Sequence, residues 1–242
     1  MKLIVLGKYG TFPAAGGACS GYLIENNGRY LLIDCGNGVL SRLQHICRIE
    51  DLEAIVLSHL HDDHAGDLRI LKYAVETKLA FGTMRHRVKV YMPSSPERAA
   101  RDLDYPQAFD ISYVNEKTEL ELAGLHLRFC PMRHSIETYA ISLEAGAKKL
   151  VYSADTTFHE GLIRFAAGAD VLLCEATLAE AGDVPIPHMT ALEAGETARL
   201  AGVERLLLTH LWCDEDAERC LLTARTVFEQ SEEVMELQEY VI

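Results

Sequence analysis

The chain has 242 residues, of which 49% are hydrophobic and 24% are charged, and these ordinary values describe a folded protein with a sizeable buried core. Its 7 prolines and 17 glycines are too few and too scattered for a disordered or fibrous chain. The 36 acidic residues exceed the 23 basic ones and leave a formal net charge of −13, which makes a large nucleic acid an unfavourable partner.

In the first half of the chain, hydrophobic periodicity alternates between the strand and the helix pattern. The dipeptide Asn27-Gly28 separates two of the strand patterns and is typical of a β-hairpin turn. In chain order, the predicted elements are strands at Lys2–Gly7, Tyr22–Glu25 and Arg29–Asp34, a helix at Asn37–Ile49, a strand at Glu53–Leu57 and a helix at Asp67–Phe81.

The second half repeats this alternation. Strands are predicted at Leu120–Leu122, His126–Phe129, Tyr139–Leu143, Leu150–Tyr152, Val171–Cys174 and Arg205–Leu208, and helices at Phe158–Ala167, Thr190–Leu200 and Ala217–Gln230. No linker rich in proline, glycine or serine divides the chain. We therefore expect one α/β domain over residues 1–242, with two sheets between outer helices.

The sequence gives no sign of a membrane protein or of a disulfide framework. No window approaches the roughly 18 consecutive apolar residues of a membrane-spanning helix, and the opening run Leu3–Leu6 is too short for the core of a signal peptide. The seven cysteines are odd in number and include no CxxC pair. We expect a cytoplasmic protein with reduced thiols and no membrane partner.

Four potential metal ligands crowd into six positions directly after the strand Glu53–Leu57. His59 and His61 stand two residues apart, so on extended backbone their side chains point the same way and can share one ion. Asp63 and His64 follow at the turn into the next helix, which directs them toward a second ion. Imidazole and carboxylate groups bind zinc, manganese and iron, and this segment therefore predicts a dinuclear metal site.

The pattern His59-x-His61-x-Asp63-His64 resembles the signature of hydrolases with the metallo-β-lactamase fold. The resemblance implies a four-layer αββα sandwich. It also implies three further ligands at strand ends: a third histidine for the first ion, an aspartate that bridges both ions and a last histidine for the second ion. The residues in matching positions are His134, Asp155 and His210. Four histidines lack such support and are predicted to be structural or solvated: His45, His86, His126 and His159.

A second resemblance concerns Glu175 and His188. In ribonuclease Z and related phosphodiesterases of this fold, the acidic residue of a His-Glu-Ala-Thr motif orients a later histidine that assists proton transfer to the leaving oxygen. Glu175 and His188 are similar to that pair, and with Asp63 they form the predicted catalytic set. A histidine held by a carboxylate can stay protonated near neutral pH and supply such a proton. The alternative is a helix-capping or buried polar role for both residues.

The sequence also departs from ribonuclease Z. Cys174 stands where the motif has its own histidine, and Leu211-Trp212-Cys213 follows His210 in place of Ser-x-Arg. A basic arm for gripping transfer RNA is not evident in the sequence. These differences favour a smaller, phosphodiesterase-like relative with a small anionic substrate.

The main functional prediction is a metal-dependent hydrolase that uses two divalent ions, zinc first with manganese or iron as alternatives, and a bridging hydroxide. Its predicted substrate is a small phosphodiester, similar to a cyclic nucleotide or an RNA end. A carboxylic ester, lactone or thioester is the alternative substrate, because the same ligand set serves those branches of the fold. A non-catalytic metal-binding scaffold is the third hypothesis for the function. The resemblance also implies a possible homodimer.

Overall fold

The computed structural model describes residues 1–182 and 185–242. The strands of the first half are β1 (Lys2–Gly7), β2 (Tyr9–Gly10), β3 (Gly21–Asn26), β4 (Arg29–Ile33), β5 (Leu52–Val56), β6 (Val88–Met92) and β7 (Phe109–Tyr113). The helices of this half are α1 (Val39–Leu43), α2 (Asp62–Ala65), α3 (Leu68–Ala80) and α4 (Glu97–Leu103), with a 3-10 helix over Ile49–Asp51.

The second half has the same mixture of elements. Its strands are β8 (Glu119–Leu122), β9 (Leu125–Pro131), β10 (Tyr139–Ala145), β11 (Lys148–Tyr152), β12 (Val171–Glu175), β13 (Arg205–Thr209), β14 (Leu211–Trp212), β15 (Ser231–Glu233) and β16 (Glu239–Val241). Its helices are α5 (Glu160–Ala166), α6 (Ala191–Ala201) and α7 (Ala217–Arg225).

Two large mixed sheets contain most of these strands. The first sheet has the order β16-β1-β3-β4-β5-β6-β7, antiparallel from β16 to β4 and parallel from β4 to β7. The second has the order β15-β13-β12-β11-β10-β9-β8, parallel from β15 to β11 and antiparallel beyond. Each sheet thus has a parallel half whose strands end at the same edge, which is where ligand sites form in α/β proteins.

Buried apolar side chains define four layers. Residues of both sheets, such as Leu31 and Ile141, pack together in one cluster between them. A second cluster joins the outer face of the first sheet to helices, through residues such as Leu43 and Leu71. A third does the same for the second sheet, with Leu162 as one member. The chain therefore has the predicted αββα arrangement, in which each sheet buries both faces.

Two buried tyrosines connect the sheets directly. Tyr22 on β3 and Tyr152 on β11 have ring centroids 4.9 Å apart. The Tyr22 hydroxyl lies 2.8 Å from Thr209 Oγ1, at the end of β13 in the opposite sheet. The Tyr152 hydroxyl donates to Asp34 Oδ2, just past β4, at 2.9 Å. Each tyrosine therefore bonds a residue at the strand ends of the other sheet.

Two helices are shorter than the sequence periodicity predicts. The helix predicted at Asn37–Ile49 covers only Val39–Leu43, because Gly38 precedes it with φ of 92° and the chain turns after Gln44. The helix predicted at Ala217–Gln230 ends at Arg225. The longest helix in the described ranges has 13 residues, and none of the described helices is long and apolar enough to cross a membrane.

Candidate metal centre

The predicted metal ligands lie just past the strand ends. After β5, which ends at Val56, the loop carries His59 and His61, and the short helix α2 carries Asp63 and His64. The other predicted ligands lie past three strands of the second sheet: His134 after β9, Asp155 after β11 and His210 after β13. The structure brings all seven residues together in two clusters that could each hold a metal ion.

The first cluster contains His59, His61, His134 and Asp155, whose candidate ligand atoms all lie within 4.8 Å of one another. His61 Nδ1 is 3.1 Å from His59 Nε2 and 3.2 Å from His134 Nε2. Asp155 Oδ2 is 3.6 Å from His59 Nε2 and 3.7 Å from His134 Nε2. Three imidazole nitrogens and one carboxylate oxygen thus converge, which is a donor set suited to zinc.

The second cluster contains Asp63, His64, His210 and again Asp155. Asp155 Oδ1 lies 3.3 Å from His64 Nε2, and Asp155 Oδ2 lies 3.3 Å from His210 Nε2. Asp63 Oδ2 is 3.4 Å from the same His210 nitrogen. Because Asp155 offers an oxygen to each cluster, it occupies the position of a bridging ligand.

Unpaired polar atoms show that a metal ion fits these residues. His64 Nε2, Asp155 Oδ1 and His210 Nε2 are buried and have no hydrogen-bond partner among the described residues. An unpaired buried polar atom costs about 1–3 kcal/mol, and three of them converge on one point. Coordination of a cation would satisfy all three atoms, and this donor set suits zinc, manganese or iron.

The protonation states of the first cluster also favour ligation. Burial lowers the pKa of His59, and the neighbouring His64 lowers it further, so the His59 imidazole is neutral with a free lone pair. Burial alone would raise the pKa of Asp155, but the imidazoles around it, with His210 first, hold that pKa well below its usual range. The cluster therefore presents a neutral imidazole beside an ionised carboxylate, the forms that bind metals.

Asp34 fixes the orientation of two of the histidines. His64 Nδ1 donates to Asp34 Oδ2 at 2.7 Å, which leaves His64 Nε2 facing Asp155. His59 Nδ1 lies 3.1 Å from Ser58 Oγ, and that hydroxyl donates to Asp34 Oδ2 at 2.8 Å. A carboxylate that holds the remote nitrogen of a histidine sets the tautomer needed for metal binding.

The same arrangement recurs at the last histidine. His210 Nδ1 lies 3.1 Å from Thr177 Oγ1, and this hydroxyl donates to Glu175 Oε2 at 2.8 Å. Each of the two carboxylates, Asp34 and Glu175, therefore reaches a histidine through a hydroxyl. At His134, Nδ1 instead donates to the Pro187 carbonyl at 3.0 Å.

The backbone is strained where three of these loops leave their strands. Asp34, Ala154 and His210 have φ values of 56°, 52° and 51°, in the left-handed region that residues with a side chain rarely adopt. Gly10 packs against the His210 ring so closely that a Cβ there would lie 2.0 Å from His210 Cε1. Only a glycine permits this approach.

Glu175 and His188 form the predicted pair next to the second cluster. His188 Nδ1 donates to Glu175 Oε2 at 3.1 Å, and the His188 ring stacks on His210 with centroids 5.1 Å apart. Burial lowers the pKa of His188, but the adjacent Glu175 carboxylate more than offsets burial, and the pKa rises to about 9. His188 Nδ1 also lies 3.8 Å from Asp155 Oδ2.

Sequence reasoning missed four of the groups that orient the candidate ligands. Ser58 and Thr177 lie close to predicted site residues in the sequence, so a local pattern could have identified them. Tyr152 and the Pro187 carbonyl are distant in sequence from the residues they contact and come close to them only in the folded structure. The other four histidines (His45, His86, His126 and His159) belong to none of the metal-binding clusters formed by the described residues.

Comparisons with known proteins agree with this geometry. A family model described as "Beta-lactamase superfamily domain" matches residues 29–211. The probable metallo-hydrolase YhfI of Bacillus subtilis is 36% identical, with 87% of each chain covered. A ribonuclease Z of Methanopyrus kandleri is 30% identical over 92% of this chain and 91% of its own. The crystal structure of YhfI superposes with a TM-score of 0.94 at 32% identity, covering 99% of this chain and 98% of that one. The chain therefore belongs to the metallo-β-lactamase superfamily of hydrolases.

Proposed function

We propose that this protein is a dinuclear metal-dependent phosphodiesterase that acts on a small anionic phosphodiester. The observation that supports the proposal is the Glu175–His188 pair, in which an imidazole bonded to a buried carboxylate lies beside the second metal cluster. Hydrolysis of a phosphodiester expels a poor alkoxide leaving group, and a positioned acid typically contributes a factor of about 10²–10⁴ to such a reaction.

In this proposal His59, His61 and His134 hold one ion, Asp63, His64 and His210 hold the other, and Asp155 bridges them. Divalent ions lower the pKa of water toward neutrality and polarise phosphoryl oxygens, which supplies the nucleophile and stabilises developing charge. Zinc is the first choice of metal, with manganese and iron as alternatives.

Residues of the chain itself then supply the proton to the leaving oxygen. Glu175 accepts from His188 Nδ1 and orients the ring, so that Nε2 is the nitrogen left to protonate the leaving oxygen. Asp63 contributes as a ligand and lies 3.4 Å from His210 Nε2. The Thr177 hydroxyl bonds both Glu175 and His210. Through Glu175 it therefore fixes the position of His188 relative to the second cluster.

Charge supports a small anionic substrate over a large nucleic acid. The ligand carboxylates Asp63 and Asp155 offset only half of the charge of two divalent ions, so the loaded site is positive. The chain as a whole has a formal net charge of −13, which repels a long polyanion. The name of the Methanopyrus relative, ribonuclease Z, also supports phosphodiester chemistry.

The first test is hydrolysis of bis(p-nitrophenyl) phosphate by protein loaded separately with zinc and manganese, with a chelated control and an aryl ester in parallel. Chelator-sensitive turnover of the diester is expected. Turnover of the ester alone would replace this proposal with ester, lactone or thioester hydrolysis. His61→Ala and Asp155→Ala should abolish both metal loading and turnover, whereas His86→Ala, at an exposed histidine, is the matched control.

A second test isolates the proton donor by varying the leaving group. His188→Ala should lower turnover of 3′,5′-cyclic AMP, which has an alkoxide leaving group, about 100-fold. The same variant should affect bis(p-nitrophenyl) phosphate much less, because p-nitrophenolate leaves without a proton. Metal content should be unchanged. Equal losses on both substrates would contradict the role of His188 as an acid.

A further inference from the structure

A cavity of about 330 Å³ opens directly beside His188. Its walls are formed largely by Leu178, Ile186, Pro187 and Trp212, and His188 and Thr177 line the side that faces the metal clusters. We call this cavity the Trp212 pocket. None of the described residues that line it is a lysine, arginine, aspartate or glutamate, so His188, which already bonds Glu175, is the one ionisable partner that a charged group would meet among them.

Trp212 is held in place by its backbone. Strand β14 pairs with β2, which sets Trp212 opposite Gly10, and the Trp212 N–H donates to the Thr177 carbonyl at 3.2 Å. The side chain nevertheless remains 40% exposed. A large apolar ring on a fixed backbone, with much of its surface still in water, is typical of a stacking surface for a ligand.

The pocket and the metal site share a wall. Thr177 Oγ1 lies 3.1 Å from His210 Nδ1, and the His188 ring stacks on the ring of His210. A group in the pocket is therefore on the His188 side of the site. If His188 protonates the leaving oxygen, the alcohol that departs lies on this side.

We infer that the Trp212 pocket binds the leaving alcohol of the substrate through a neutral planar ring, an aryl group or a nucleobase, that stacks on Trp212. This inference rests on the proposed phosphodiesterase function for the identity of the leaving side. The apolar walls favour a ring over a sugar, and the lack of a lysine or arginine among the described lining residues disfavours a further phosphate. The pocket thus selects diesters whose leaving alcohol carries an uncharged ring.

Tryptophan fluorescence tests the pocket without any turnover, because Trp212 is the only tryptophan in the sequence. Titration of the full chain with adenosine should change the emission saturably, whereas ribose should have no effect. Ile186→Asp places a charge in the pocket and should weaken adenosine binding about tenfold, while Ile70→Asp on the exposed face of α3 is the matched control. Absence of a saturable change, or equal affinity in Ile186→Asp, would overturn the inference.

Two substrates with the same leaving group identify the side of the substrate that the pocket holds. With bis(p-nitrophenyl) phosphate and methyl p-nitrophenyl phosphate, Trp212→Ala should lower kcat/KM by a similar factor, about tenfold for a lost stacking contact. Trp212→Phe should restore most of the loss, and Phe81→Ala, at a remote exposed ring, should change neither value. A loss confined to the bis-aryl substrate would place the retained group in the pocket and overturn the assignment.

The two experiments separate failure of this inference from failure of the proposed function. If the wild type hydrolyses neither diester, both the proposed function and the leaving-side assignment fail, while the adenosine titration still decides whether the pocket binds a ring. If the diesters are hydrolysed but Trp212→Ala retains full kcat/KM on both, the proposed function stands and this inference is wrong.

Discussion

Substitution of Asp34 by asparagine should remove the second metal ion by changing the tautomer of His64. Asp34 Oδ1 accepts from the Ser58 backbone N–H at 2.7 Å, and this donor cannot reverse. The amide oxygen of an asparagine must therefore occupy the Oδ1 position, and its NH₂ group takes the place of Oδ2. There it faces His64 Nδ1, which is 2.7 Å from Oδ2 in the wild type.

Because the NH₂ group can only donate, His64 Nδ1 has to accept, and its proton moves to Nε2. That nitrogen is 3.3 Å from Asp155 Oδ1 and could no longer bind a metal ion. Loss of a group that orients a ligand typically costs about 10–100-fold in metal affinity. Conversion of charge-assisted bonds at Asp34 to neutral ones should destabilise the fold by about 2–3 kcal/mol, a fall in Tm of about 5–10 °C.

The assay is metal titration followed by elemental analysis at a metal concentration at which the wild type holds two ions. Asp34→Asn should hold close to one, at the first cluster, because the Ser58 hydroxyl oxygen can accept from His59 Nδ1 in both proteins and so keeps the tautomer of His59. Asp67→Asn is the matched control, because Asp67 is also a buried carboxylate, but it accepts from the Leu40 backbone N–H and not from a candidate metal ligand. The reasoning is refuted if Asp34→Asn binds two ions with wild-type affinity, or if NMR shows the His64 proton still on Nδ1.

Three further predictions concern neighbouring contacts. Gly10→Ala should displace the His210 ring, which lies 2.0 Å from the added Cβ, and metal analysis should find the second ion lost; retention of both ions would contradict this. Thr177→Val removes the hydroxyl between Glu175 and His210. It should lower turnover about tenfold and the free energy of unfolding by about 1 kcal/mol; a variant whose rate and Tm both match the wild type would contradict this. The Lys78 hydrogen bond holds the Glu50 pKa below its usual 4.5, so this pair stabilises the fold above that pH and loses its effect as pH falls through the folded-state pKa. Glu50→Gln should therefore lower Tm at pH 7, and the difference should disappear as the pH falls through the lowered pKa of Glu50; a difference that persists at low pH would exclude the ion pair as its source.

The residues of the two candidate metal clusters were predictable because their signal is local. His59 to His64 stand in one short segment, and the remaining ligands each follow a strand with a clear apolar pattern. Among the groups that orient them, Tyr152 has no such signal. Tyr152 reaches Asp34 across 118 residues of sequence and from the opposite sheet, so its role depends on how the two sheets pack.

Three of the strands that periodicity did not predict lie at the edges of the two large sheets. β7 and β16 close the two ends of the first sheet, and β15 closes one end of the second. β15 has the sequence Ser231-Glu232-Glu233, which offers no apolar alternation. An edge strand is held mainly by backbone hydrogen bonds along one side, so its side chains need not carry the pattern from which strands are predicted.

The two reciprocal tyrosine contacts have a mechanical consequence for the site. Displacement of one sheet along the other by a single residue, about 3.3 Å, would break the Tyr22–Thr209 and Tyr152–Asp34 contacts at the same time. Two buried hydroxyls would then be left unpaired, at about 1–3 kcal/mol each. Such shear is also the motion that would separate the ligands after β5 from those contributed by the second sheet. The tyrosine pair therefore resists the deformation to which a site divided between two sheets is most vulnerable.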